Sequence, residues 1–140
     1  MKIVYLSSAR LPSEKAHALQ IARMCDALAG LGHEVVLLYP DKRQDEESFR
    51  TAGVWEYYDC TNQFAVESMS IFQLPDFFWR LPSLIHRPLF NSLNLWFEKR
   101  LAKKALKLAA DVYVSRDMTP HAARAIAESG SRCVFEFHEA

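Results

Sequence analysis

Glycine is scarce in this chain, four residues among 140, and Gly30, Gly32, Gly53 and Gly130 stand in none of the spacings that cradle a phosphate. No G-x-G-x-x-G follows the first apolar run, and neither G-x-x-x-x-G-K-[ST] nor G-x-S-x-G occurs anywhere. The dinucleotide fingerprint, the P-loop and the nucleophile elbow of α/β-hydrolases are therefore excluded. Cysteine is equally limited: Cys25, Cys60 and Cys133 are an odd number with no C-x-x-C pair. That argues against a disulfide frame or a zinc site and for reduced thiols, with the cytoplasm as the default compartment. Net charge is missing too, since 17 Lys and Arg balance 17 Asp and Glu. No field over the whole chain draws it to nucleic acid or to an anionic membrane, and no nucleic-acid partner is expected. Long apolar runs are absent. Ile3–Leu6 is too short for a signal-peptide core, and Arg80, His86 and Arg87 break the most hydrophobic stretch before it reaches the roughly 18 residues of a membrane span.

What is present is a core. Half of the residues are hydrophobic and the length suits one domain, which excludes disorder. Lys2 to Ser8 reads as a nearly continuous apolar strand, the pattern of a parallel strand covered on both faces. A polar loop, Ala9 to Lys15, leads to a helix over 16–31 with a wide apolar stripe that includes Leu19, Ile21, Ala22, Met24 and Leu28, and Gly30 and Gly32 supply its stop. Glu34 to Tyr39 is a second buried strand, closed by Pro40. Asp41 to Arg50 is a charged loop, and 53–74 is the least readable part, with one short strand placed at 69–74. A helix follows over 89–109, with Phe97, Leu101, Ala105 and Leu108 dry and Lys99, Arg100, Lys103, Lys104 and Lys107 wet. Then come a strand at 111–115, a helix at 119–129 ended by Gly130, and a strand at 133–137. This alternation predicts an α/β fold: a Rossmann-like open parallel sheet with helices on both faces.

Ligands of such sheets collect beyond the carboxyl ends of the strands, where helix amino termini point their unpaired amides. Here those ends carry the loop from Ser7 to His17, then Arg116 to His121, then His138 and Glu139. Three of the five histidines, His17, His121 and His138, fall at this edge. With Asp117 or Glu139 nearby they admit a zinc site, but their spacing is no local ligand motif and no metal is assigned. The plainer reading makes His17 and His121 packing or capping residues in the first turns of their helices. Strand alternation sends Phe135 and Phe137 to one face and Glu136 and His138 to the other, so that His138 is either buried against a neighbour or, the favoured reading, presented to the cleft. A phospho-acceptor receiver domain would want acidic residues where Ser7 and Ser8 stand.

Met1 to Ser8 (MKIVYLSS), the helix AHALQIARMCDAL, the segment Gly30 to Val36 (GLGHEVV), and the later VYVSRD and VFEFHE together resemble the amino-terminal domain of retaining, two-domain (GT-B) glycosyltransferases of the family 4 type. The resemblance implies transfer of a sugar from a nucleotide-sugar donor to an acceptor hydroxyl, with no further cofactor, in a cleft between two Rossmann-like domains. It makes His138 the catalytic residue near the anomeric carbon, as a neutral imidazole that positions a hydroxyl or an imidazolium that holds charge on the leaving diphosphate. Ser13, Lys15, His17, Arg116 and Glu139 become substrate-binding residues. Where relatives carry paired glycines, this chain has Pro12 to Ala16, so Ser13, Lys15 and the first helical amides substitute for close backbone approach. The family's second, carboxy-terminal domain is not in the sequence, so 1–140 reads as a truncated amino-terminal, acceptor-side domain that is inactive alone, or as one subunit of a split transferase. A non-catalytic, flavodoxin-like interaction module is the alternative from another class.

Between Phe77 and Lys107 aromatic residues stand beside basic ones. Two readings are open: the aromatics pack a helix on the sheet while the lysines face water, or the segment makes peripheral contact with an anionic membrane at the inner face of the bilayer.

Overall fold

β1 (Lys2–Leu6) is apolar throughout because it lies at the centre of the sheet, where Ile3 and Tyr5 enter one core and Val4 and Leu6 the other. It pairs with β2 (Glu34–Asp41) on one side and β4 (Val112–Arg116) on the other. β3 (Ala65–Ser70) lies outside β2, and β5 (Cys133–Glu136) outside β4. All pairings are parallel, and the five-stranded order is β3-β2-β1-β4-β5. The computed structural model describes residues 1–42, 53–72, 74–116 and 119–136.

Helices cover both faces. α1 (Ala16–Gly30) and the short α2 (Val54–Tyr57) enclose the first core, where Ala18, Ile21, Ala22 and Cys25 meet Val54, Tyr58 and Phe64 over the sheet. α3 (Ser83–Lys107) and α4 (Pro120–Glu128) enclose the second, through Phe97, Leu101, Ala105, Ala122 and Ile126. The Rossmann-like expectation holds. β3 connects to β4 through α3, passing over β2 and β1, so the direction of sheet growth reverses between β1 and β4. That reversal is a topological switch point, the place where an open α/β sheet leaves a crevice beyond its strand ends.

Several boundaries differ from the expected ones. β1 ends at Leu6, two residues early, because Ser7 and Ser8 turn away to line the crevice. β2 runs through Pro40 to Asp41. Ser7 N–H donates to the Leu38 carbonyl, so Leu38 and Pro40 present their backbone toward β1, which has already ended at Pro40. The missing amide hydrogen therefore costs no ladder bond. β3 lies at 65–70 rather than 69–74; as an edge strand it buries only Met69, so its apolar signal is weak. α3 begins at Ser83, not 89, and contains Pro88 in its second turn. On α1, Leu19 and Met24 are exposed and the small Ala18 and Ala22 face the sheet instead, allowing close packing. Gly32, at φ +86°, is the residue that ends α1, since this left-handed backbone is strained for any side chain. Gly30 serves closeness: a Cβ there would lie 2.8 Å from Asn62 Nδ2.

Candidate functional site at the switch point

The ends of β1 and β4 enclose a small crevice of about 210 Å³, lined by Ser7, Ser8, His17, Ile21, Arg116 and Thr119 with neighbouring backbone. Its floor is rigid. Ser7 Oγ accepts the Ala9 N–H at 2.9 Å, and Thr119 donates its backbone N–H to the Arg116 carbonyl at 2.9 Å while its hydroxyl meets Ser115 Oγ. Arg116 extends over the crevice with Nε 3.2 Å from Glu136 and both terminal nitrogens on Gln20 Oε1, at 3.2 and 3.3 Å. Below it the buried Tyr5 hydroxyl is pushed far above its ordinary pKa by desolvation, partly offset by Arg116, and stays neutral.

Positive charge converges here from three loops. His17 is held below its usual pKa, first by desolvation and then by Lys15, Arg116 and Lys42. Lys42, one residue beyond β2, donates to the Ser8 carbonyl at 2.5 Å and is likewise lowered, first by burial and then by Lys15 and Arg10. Cations that depress one another in a partly desolvated place are stabilised by an arriving anion.

The two helix amino termini at this edge differ. α4 is already neutralised: the carboxylate of Glu98, buried at the centre of α3, accepts the N–H groups of His121 and Ala122 at 2.7 and 3.0 Å and the Asn94 amide at 3.0 Å. α1 starts at Lys15 with no side-chain cap and no acidic residue in its first turn. The dipole end available to an external anion therefore belongs to α1, beside Lys15 and His17.

A second cavity, of about 440 Å³, opens next to the crevice and shares Ser8 with it. Its walls are apolar, from Ile71, Phe72 and Leu74 on one side and Phe90, Leu93 and Trp96 on the other, and its polar end holds Ser8, Lys42, Glu98 and His121. Ser8 Oγ is buried without a hydrogen-bond partner among the described residues. Of the aromatics in the 77–107 stretch, Phe97 is buried in the second core and Phe78 is buried against Trp79 and His86, whereas Phe77, Trp79, Phe90 and Trp96 are exposed.

The expected site residues thus divide. His17 and Arg116 share the crevice with Ser7, and Lys15 stands beside them. Ser13 turns inward: its N–H donates to the Tyr58 hydroxyl at 2.7 Å, that hydroxyl donates back to its carbonyl at 2.8 Å, and its Oγ accepts the Lys15 N–H at 3.2 Å. It holds the loop and does not line the crevice. His121 belongs to the larger cavity. His138, Glu139, Phe137 and Asp117, like most of the charged loop after Lys42, lie outside the described residues. Among the described residues no cluster of His, Cys, Asp or Glu is arranged to hold a metal, and no helix is long and apolar enough to cross a membrane. All three thiols are free. Sequence reasoning missed Lys42, Glu98 and the Ser8 hydroxyl. Lys42 was findable as a strand-end residue once β2 is allowed to pass Pro40, but the capping role of Glu98 depends on a contact between helices that no local pattern encodes.

No family model matches the sequence, and no curated protein does. Solved structures do match the fold. Apo UGT2 of Phytolacca americana superposes over 99% of this chain and 29% of its own, with TM-score 0.63 and 13% identity. A Glycyrrhiza uralensis UGT complexed with glycyrrhetinic acid 3-O-monoglucuronide gives TM-score 0.63 and 18% identity over 96% of this chain and 27% of its own. A UGT transferase from Siraitia grosvenorii in complex with UDP gives TM-score 0.50 and 14% identity, again over 96% and 27%. At these identities the likeness is one of fold, and the chain spans under a third of the length of each neighbour. The α/β, Rossmann-like architecture of this chain is that of a region of transferases from this group.

Proposed function

We propose that the chain is the amino-terminal, acceptor-side part of a glycosyltransferase that moves a sugar from a nucleotide donor to an acceptor hydroxyl with retention, and that it works in the cytoplasm. The observation that carries this reading is the convergence of Lys15, Lys42 and Arg116 around His17, beside the uncapped end of α1 and at the switch point of the sheet. Such a place suits a diphosphate. When the sugar C1–O bond breaks, its electron pair passes to the diphosphate. The acceptor oxygen forms the new bond to C1, and the acceptor's proton goes to the departing phosphate oxygen. Cations fixed before the reaction stabilise the charge that develops on the leaving group. In this reading Lys15, His17 and Arg116 bind the donor, Ser13 positions the loop that carries Lys15, and His138 and Glu139 act at the sugar. Contacts to the nucleoside fall to a second domain or a partner subunit, in keeping with the fraction of each neighbour that the chain spans.

The test uses the full-length gene product with a panel of nucleotide sugars, following nucleoside diphosphate release and the anomeric configuration of the product by NMR. Turnover of one donor with retained configuration is expected, and His138→Ala lowers kcat far more than it lowers Tm. An inverted product removes retention from the account. No turnover of any donor favours the non-catalytic module, and equal loss of kcat and Tm makes His138 structural.

A further inference from the structure

The larger cavity has a composition the transfer reaction alone does not require. Its volume of about 440 Å³ lies in the range of small-molecule sites, but it is divided into an apolar channel and a polar end where Lys42 stands free of the Glu98 carboxylate, which is taken up by the His121 and Ala122 amides. At that end the Ser8 hydroxyl has no partner among the described residues, and the Lys42 ammonium is held below its ordinary pKa, chiefly by burial. Among the described residues no carboxylate pairs with Lys42. A hydroxyl donor and a desolvated cation together match a phosphate oxygen.

The channel leads outward to a surface that is hard to account for in water. Its rim residues Phe72, Phe90 and Trp96 are 66%, 42% and 46% exposed. Phe90 continues into Trp79, with ring centroids 5.6 Å apart. Beyond them the first turns of α3 project Leu84, Ile85 and Leu89, of which Leu84 is 89% exposed. Monomeric proteins rarely leave such a contiguous patch uncovered. Its charge is also one-sided, although the whole chain is neutral. Arg80 and Arg87 interrupt the patch and the Arg100 guanidinium lies 4.7 Å above the Trp96 ring, while the acidic residues of this stretch are Asp76 and the buried Glu98. Aromatic side chains flanked by cations are the composition of a surface that lies in an anionic lipid interface.

We propose that the acceptor is an amphiphile taken from an anionic bilayer: its phosphate-bearing head sits at Ser8 and Lys42, its hydrocarbon chain runs between Phe72 and Trp96, and the exposed face of α3 rests on the membrane. The role of acceptor rests on the transferase reading; the binding does not. Ser8 belongs to both cavities, so a head group held there lies against the donor crevice, with its hydroxyl placed to receive the sugar and to release its proton to the leaving diphosphate.

The test uses the 140-residue chain in a Trp55→Phe background, so that Trp79 and Trp96 report. Flotation is run with vesicles of phosphatidylcholine alone and of phosphatidylcholine mixed with phosphatidylglycerol, at low and high salt, and dodecyl phosphate is titrated by tryptophan fluorescence. Binding only to the phosphatidylglycerol vesicles is expected, weakened by salt. Ile85→Ser with Leu89→Ser abolishes it without changing dodecyl phosphate affinity. Lys42→Gln lowers dodecyl phosphate affinity by about tenfold or more and leaves vesicle binding intact, and Leu93→Trp, which fills the channel, does the same. Failure to bind dodecyl phosphate, indifference of that binding to both cavity variants, or a dimer in light scattering that buries Trp79 and Trp96 overturns the proposal. Inorganic phosphate competing as well as dodecyl phosphate also overturns it, since the chain then contributes nothing. Lipid binding by a full-length product that turns over no donor would refute the transferase and leave this site standing; turnover without lipid binding would do the reverse.

Discussion

Glu98 closes the amino terminus of α4 at His121: its carboxylate oxygen lies 2.7 Å from the His121 backbone nitrogen and 3.0 Å from that of Ala122. A residue from the middle of α3 thereby takes the role usually filled by a capping side chain next to the helix, and none caps α4 from position 119. This contact ties the two helices of one layer together and leaves α1, not α4, with an uncapped amino terminus. Glu98→Ala leaves two buried amides without their charged acceptor and is expected to cost about 2–3 kcal/mol in denaturant unfolding. Glu98→Gln keeps the shape and one acceptor oxygen, and it should cost less than half of that. Equal losses would mean that the carboxylate's charge and bonds contribute little beyond its packing.

His17 should titrate below the ordinary histidine range, because desolvation and then Lys15, Arg116 and Lys42 disfavour its charged form. The folded protein accordingly binds fewer protons than the unfolded chain in the window between the lowered pKa and the ordinary histidine value of 6.5. Across that window stability rises with pH; it is complete above the unfolded value and is lost as pH falls through the folded one. The His17 Cε1 proton followed by NMR checks this. Lys15→Gln should raise its midpoint and pyrophosphate should raise it further, whereas a midpoint that ignores pyrophosphate places the anion elsewhere.

Gly30 touches the Asp26–Asn62 link, in which Asn62 donates its backbone N–H to Asp26 Oδ1 at 2.6 Å and its side-chain amide to the same oxygen at 3.1 Å. Those bonds hold the Asp26 carboxyl below its usual pKa and fasten the end of α1 to the segment that enters β3. Helix propensity alone predicts that Gly30→Ala gains roughly 1 kcal/mol. Because the new methyl group would displace the Asn62 amide, a loss of about 0.5–1 kcal/mol is expected instead. With Asn62→Ala already in place, the same change should become stabilising, and chemical denaturation of the four-member cycle measures the difference.

The central strands and α1 were legible because full burial leaves an uninterrupted apolar signal: Ile3 to Leu6 and Val35 to Leu38 have no wet face to dilute it. β3 was misplaced for the opposite reason, since Ala65 to Ser70 buries one side chain at a sheet edge. The start of α3 was hidden because Leu84, Ile85 and Leu89 face solvent, so no amphipathic period marks it, and Pro88 suggests a boundary that the helix does not respect. The gathering of Ser7, His17 and Arg116 in one crevice was legible from their places at or just beyond strand ends. The bonds of Ser13 to Tyr58 were not legible, because that partner is 45 positions away. Lys42 and Glu98 act through contacts made only when β1, β2, α3 and α4 are assembled.

Whether the crevice between β1 and β4 receives a diphosphate is tested most directly by a UDP titration of the ¹⁵N-labelled chain followed by NMR. The expected result is a saturable set of shifts confined to the amides of Ser7, Lys15, His17 and Arg116 and their neighbours, reduced about tenfold in affinity or more by Lys15→Gln. No shifts at millimolar UDP, or shifts that fall only along α3, would contradict it.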